Sequence, residues 1–216
     1  MQMEIHLIHA TPLVVASQAI RQCWQSQDKS DSEDGECGPN DRALIDRIGN
    51  QFKHSSTLEH ISYNFEIEGI SRALLQELAR HRIASYSVKS TRYTLKELKD
   101  EQPFNLDDLE RASKFIVLTG NSLVDSASVQ ALDNLRLLLV AGVSNDKAKY
   151  ALPEAYKTSL AWTINARSLQ NFLSLRTSKA ALWEIRDLAL AVFKVLPEDH
   201  KYLFEGQVAQ AMKEIS

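Results

Sequence analysis

Apolar and polar positions alternate from Glu4 to His9 with the period of a short strand. Thr11 and Pro12 follow as an N-cap and a first-turn proline, predicting a helix that runs to about Trp24. Residues 28–40, DKSDSEDGECGPN, carry no apolar period and are acidic and rich in turn formers, so they are expected to form a mobile surface loop within one domain. A second helix is predicted from about Asp41 to Phe52. Ile61, Tyr63, Phe65 and Ile67 then alternate with Ser62, Asn64, Glu66 and Glu68 as a half-buried strand ended by Gly69. Beyond Ser71, Leu74, Leu75, Leu78 and Ala79 recur at helical spacing, and most of the chain from Leu106 onward is helix-patterned, including a long stretch that begins near Pro153. The predicted class is α+β and helix-rich.

Composition sharpens this only a little. With 216 residues, 44% hydrophobic and 25% charged, the chain has the make-up of a single globular domain spanning 1–216. A net charge of −3 gives no general attraction to nucleic acid or to an anionic membrane, so a phosphate ligand must be met by a local basic cluster. Cys23 and Cys37 form neither a metal-ligand spacing nor a disulfide framework, which fits a reducing, cytoplasmic setting without a metal. The first residues lack a leader pattern, and the longest apolar run, Leu137 to Val143, is far too short for a bilayer, so a soluble, unprocessed protein is expected.

Three segments carry candidate chemistry. In Arg80-His81-Arg82-Ile83-Ala84-Ser85-Tyr86-Ser87-Val88-Lys89-Ser90-Thr91-Arg92-Tyr93, predicted as an extended strand or loop after a helix, cations and hydroxyls together supply directed donors for phosphate or carbonyl oxygens. The same cations also fit the simpler reading that they complement the dipole of a helix C-terminus. In His54-Ser55-Ser56-Thr57-Leu58-Glu59-His60, Ser56 and Glu59 sit at capping-box spacing and predict a short helical turn with backbone N–H groups open to an anion. In Asn165-Ala166-Arg167-Ser168-Leu169-Gln170-Asn171-Phe172-Leu173-Ser174-Leu175-Arg176, one helical stripe carries Arg167, Asn171 and Leu175. The other carries Leu169, Phe172 and Leu173 and places Arg176 in a core-facing slot, where it needs an anionic or carbonyl-rich partner.

The Arg80-His81-Arg82 triplet, seven further residues and Ser90, with Arg92 just after, resembles the signature of flavin-dependent thymidylate synthases. The 54–60 and 165–176 segments resemble that family's other two binding elements, and the resemblance covers nearly the whole chain. It implies an α+β subunit with a twisted antiparallel sheet and flanking long helices, assembled as a homotetramer with active sites between subunits. It further implies methylation of dUMP to dTMP with FAD as hydride carrier, 5,10-methylenetetrahydrofolate as carbon donor and NADPH as reductant.

Carried over residue by residue, the resemblance assigns Ser56, Arg80, His81 and Arg82 to the flavin, joined from another subunit by Asn165, Arg167 and Asn171, with His54 near the flavin ring. Lys89, Ser90, Thr91 and Arg92, with Arg80, are expected to hold dUMP, and Arg176 to face the uracil ring as the electrostatic catalyst. No enzyme nucleophile is implied, and Cys37 lies among acidic residues that oppose thiolate formation. At the nucleotide positions Val88 stands where many members have glutamate, Glu77 where many have glutamine, and Lys149 where arginine is typical; Ala180 replaces a frequent histidine. Two rival readings remain: a nucleotide- or RNA-binding module using the basic segment with Tyr86 and Tyr93, and a flavoprotein that has lost activity.

Overall fold

The computed structural model describes residues 3–215. Its strands are β1 (Glu4–Ala10), β2 (Ser62–Ser71), β3 (Ala84–Val88) and β4 (Lys157–Asn165), joined in one antiparallel sheet of order β1-β2-β4-β3. Its helices are α1 (Val14–Trp24), α2 (Pro39–Ile45), α3 (Arg72–Leu78), α4 (Thr91–Thr94), α5 (Leu109–Ala112), α6 (Ser122–Val140), α7 (Asn145–Ala148), α8 (Ala166–Arg176), α9 (Trp183–Val195) and α10 (Glu205–Ile215). The expected α+β, helix-rich class is what the chain adopts. Two compact units share these elements: one holds residues up to 4, 67–79 and 87–160, the other 5–66, 80–86 and 161 onward.

The first unit is organised by α6. Asn121 starts the helix by accepting from the N–H groups of Leu123 and Val124, and Val129, Leu132, Leu135 and Leu139 then face inward at steps of three and four. They pack with Leu95, Leu98 and Phe104. In the second unit, Tyr63 and Phe65 of β2, Trp162 of β4 and Phe172 of α8 are fully buried. Phe65 and Trp162 lie 5.6 Å apart and Trp162 meets Phe172 at 5.1 Å. Each such ring contributes about 1.5–3 kcal/mol by leaving water, and the chain of rings fixes which face of α8 is turned outward.

Several local expectations are corrected. Pro12 precedes α1, but the N-cap is Leu13 without a side-chain bond, because the Thr11 hydroxyl accepts from the Ser62 N–H instead. Gly69 does not end β2; it sits inside the strand with φ of 73°, a conformation glycine adopts without Cβ strain, and the strand runs on to Ser71. The helix expected from Asp41 to Phe52 is α2 followed by a π-helical turn over Asp46–Gln51. The long helical pattern near Pro153 is first a strand: Thr158, Leu160, Trp162 and Ile164 alternate inward in β4, and α8 begins only at Ala166. Arg92 and Tyr93 likewise lie in a helical turn, α4, rather than in extended chain.

The acidic 28–40 segment is pinned rather than free. Asp31 accepts from the N–H groups of Asn40 and Asp41 at 2.8 and 3.0 Å, holding the start of α2. Gly38 is required there, since a Cβ would fall 2.3 Å from the Asp31 carbonyl oxygen. Fully buried Asp41 pairs with the guanidinium of Arg21 and accepts from Ser30 and Ser32, both at 2.6 Å. Burial alone would raise its carboxyl, but these bonds outweigh burial and hold it below the usual carboxylate range.

Candidate functional site

The second unit contains a cavity of about 1130 Å³, a little above the roughly 300–1,000 Å³ of most small-molecule sites. Asn165 caps α8 by accepting from the Ser168 N–H at 2.8 Å, and burial of Leu169, Phe172 and Leu173 turns Arg167, Asn171 and Leu175 toward the cavity. Arg80, His81 and Arg82 line it from the chain entering β3, and Arg176 from the last turn of α8. Four guanidinium groups thus converge on one concave surface.

Arg176 is half-buried, and one of its partners is the imidazole of His81. Its Nε donates to Nε2 of His81 at 3.0 Å, so that nitrogen is the unprotonated acceptor of the ring. His81 is 8% exposed, stands edge-on to Phe172 at 5.0 Å, and its carbonyl accepts from the Tyr86 hydroxyl at 2.7 Å. Burial raises the Tyr86 phenol, keeping it a donor. Arg167 donates to Glu59 at 2.6 Å with both side chains about half exposed, an ion pair of about 0–1 kcal/mol that an incoming phosphate displaces at little cost.

Not every assigned residue reaches this cavity. Ser56 lies outside the lining, where Ser55 and Glu59 stand instead, and Asn165 is engaged in capping. The capping box expected from Ser56 and Glu59 does not form: the 3-10 turn begins at Ser55, its N-cap is His54 without a side-chain bond, and the Thr57 hydroxyl donates to the His54 carbonyl. His54 faces a separate groove. Ala180 lines the cavity and leaves it wider where a histidine would stand. Sequence reasoning missed Gln207, whose buried Oε1 has no hydrogen-bond partner in the cavity wall. Its place on α10 relative to α8 is a tertiary fact with no local signal.

Of the expected nucleotide residues, Glu77, Val88, Lys89, Ser90, Thr91, Arg92 and Lys149 lie in the first unit, while Arg80 and Arg176 line the cavity of the second. Ser90 precedes α4, its carbonyl accepting from Tyr93 and Thr94, and Thr91 is buried. The Lys89 N–H donates to the Ser159 carbonyl at 2.9 Å while its ammonium reaches Glu97 at 3.3 Å. Arg92 donates to Asp146 at 2.8 Å and its carbonyl accepts from Asn145 at 2.7 Å, which ties α4 to α7. Lys149 follows directly after α7 and is exposed, so Arg92 and Lys149 come from joined segments. Val88 is exposed at the end of β3 and Glu77 is half-buried on α3. Cys37 is not activated: burial first, then Asp41, raises its thiol, so the acidic neighbours in sequence are not the main cause.

Among the described residues no group of three or more metal-ligating side chains occurs, and no helix is long and apolar enough to cross a membrane. Residues 6–200 match the family model described as thymidylate synthase complementing protein. A flavin-dependent thymidylate synthase of Campylobacter jejuni strain RM1221 is 61% identical over 204 residues, covering 94% of this chain and 96% of that protein. One from Helicobacter pylori strain 26695 is 60% identical over 207 residues, covering 94% and 98%. The crystal structure of a Helicobacter pylori thymidylate synthase X with FAD and dUMP superposes with a TM-score of 0.89 at 58% identity, over 95% of this chain and 99% of that one.

Proposed function

Because this chain belongs to the flavin-dependent thymidylate synthase family, we propose that it converts dUMP to dTMP with 5,10-methylenetetrahydrofolate as carbon donor, FAD as hydride carrier and NADPH as reductant. The observation that carries the reading is the convergence of Arg80, Arg82, Arg167 and Arg176 on one cavity of the size a dinucleotide needs. The donor set fits FAD. Guanidinium groups suit its diphosphate, Arg82 and Asn171 present further donors, and the orphaned Gln207 Oε1 is an acceptor for a ring N–H. Bound there, the flavin supplies the hydride that completes the methyl group; this chain supplies position and charge.

The residues divide the work. Arg80, His81, Arg82, Arg167 and Asn171 bind and orient the cofactor, while Lys89, Ser90, Thr91, Arg92 and Lys149 take the nucleotide. Arg176 favours negative charge on the uracil ring, which makes C5 nucleophilic toward the donated one-carbon unit without an enzyme nucleophile. In balance, C5 of dUMP exchanges its proton for the donor's methylene and one hydride, NADPH is oxidised to NADP⁺, and the donor leaves as tetrahydrofolate after taking up the C5 proton and one more from solvent. We read the protein as a cytoplasmic homotetramer with sites shared between subunits, as the family resemblance implies, and the family match over residues 6–200 supports reading 1–216 as one functional domain. The test is anaerobic dTMP formation from dUMP, reductant and methylenetetrahydrofolate by the purified protein. A protein that holds FAD yet forms no dTMP would be the inactive flavoprotein, and a colourless one with salt-sensitive oligonucleotide affinity would be the binding module.

A further inference from the structure

A second concavity in the same unit, about 590 Å³, is separate from the arginine-lined cavity. Its floor is apolar, from Ile20, Leu44 and Ile48, and its rim carries two aromatic rings left in water, Trp24 at 73% and Phe52 at 61% exposure. Two exposed cations flank the rings, Lys29 and Arg47, and among the described residues neither side chain has a carboxylate partner. Exposed indole and phenyl faces beside unpaired cations over an apolar floor match one kind of molecule, a flat arene bearing carboxylates.

The groove also adjoins the chemistry. His54 lines the groove and Ser55, the next residue, lines the cavity; Lys53 before them takes a left-handed turn with φ of 57°. A ligand reaching from one concavity to the other passes this turn. A dinucleotide is a poorer match for the groove, because its diphosphate calls for clustered free donors such as those of the arginine-lined cavity, whereas here the third lining cation, Arg21, is committed to buried Asp41 and only Lys29 and Arg47 remain for a ligand, beside the hydroxyl of Ser26.

We propose that the Trp24–Phe52 groove binds the aminobenzoyl-glutamate arm of the folate donor, the rings stacking on the arene and Lys29 and Arg47 meeting its carboxylates. The proposal rests on the thymidylate synthase reading for the identity of the ligand, but its test reads binding rather than turnover. Folic acid, p-aminobenzoyl-glutamate and NADP⁺ are titrated calorimetrically into the FAD-loaded protein and into its Lys29→Gln/Arg47→Gln variant, with flavin absorbance and sedimentation recorded for both.

The double variant is expected to bind the first two probes about tenfold more weakly, with NADP⁺ affinity and flavin content unchanged. Unchanged folic acid affinity, a loss confined to NADP⁺, or a changed sedimentation coefficient with intact folate binding would each overturn it. Should the variant fail to fold, the wild-type protein still decides the matter: folic acid is expected to bind about tenfold tighter than pteroic acid, which lacks the glutamate, and equal affinities contradict the site. Tight binding by a protein that forms no dTMP would leave the groove standing and remove the reaction.

Discussion

Arg176 is held by a histidine: its Nε donates to the His81 Nε2 at 3.0 Å, and His81 is itself clamped between the Phe172 ring edge and the Tyr86 hydroxyl on its carbonyl. The guanidinium proposed as the electrostatic catalyst is thereby oriented from inside the unit by a neutral acceptor. His81→Phe keeps the ring against Phe172 but removes the acceptor, whereas His81→Gln restores an oxygen near the Nε2 position. The phenylalanine variant is expected to lose kcat at least tenfold with KM for dUMP changed less, and the glutamine variant to recover much of it. Equal loss in both, accompanied by loss of flavin, would assign His81 to cofactor binding alone.

Arg176→Ala removes the charge itself. Methylation should fall below detection while FAD absorbance persists, because Arg80, Arg82, Arg167 and Asn171 still line the cavity. Wild-type turnover by this variant contradicts the role given to Arg176.

The legibility of this fold followed side-chain period. β2 and α8 were readable because burial on one face imposes a period of two on Ile61 to Ile67 and of 3.6 on Leu169 to Leu173. β4 was hidden because it runs into α8 with no glycine or proline between them, and only Asn165 marks the change. The family motif identified the residues of the arginine-lined cavity, but Ser56 and Asn165 were assigned by pattern where the structure gives a neighbour and a cap. The pairing of Arg167 with Glu59, 108 residues away, and the arrival of Gln207 from α10 are products of packing that no local spacing encodes.

Lys149 stands where the family commonly has arginine, next to the joined α4 and α7 segments. An ammonium offers a point charge where a guanidinium offers a fork, so Lys149→Arg is expected to lower the dUMP dissociation constant about threefold to tenfold, and Lys149→Ala to raise it. A calorimetric titration with dUMP measures both; no change in either variant removes Lys149 from the nucleotide site.

Asp41 anchors the acidic segment beside the Trp24–Phe52 groove through Arg21, Ser30 and Ser32. Its carboxyl is lowered in the folded chain, so its contribution is complete above the unfolded carboxylate pKa of about 3.9 and is lost as pH falls through the folded value. Asp41→Asn leaves the nearly buried Arg21 charge unpaired and should cost on the order of 3 kcal/mol in urea unfolding at neutral pH. A cost within 0.5 kcal/mol of zero would contradict this anchoring.

His200 is buried with Nδ1 bonded to the Tyr63 hydroxyl at 2.9 Å. Burial lowers its pKa against the opposing pull of Asp199, while Arg42 lowers it further. The unfolded chain therefore takes up this proton first, and stability is expected to decline as pH drops below about 6.5 toward the folded value. His200→Asn should flatten that slope in a melting series from pH 7.5 to 5; an identical slope in both proteins contradicts it.

The visible absorption spectrum of the purified protein, recorded before and after adding dUMP, tests the central claim most directly. A flavin spectrum that dUMP perturbs is the predicted result, because the proposed reaction requires the flavin hydride to reach a carbon borne by the nucleotide ring. A colourless protein that takes up no added FAD would contradict the account.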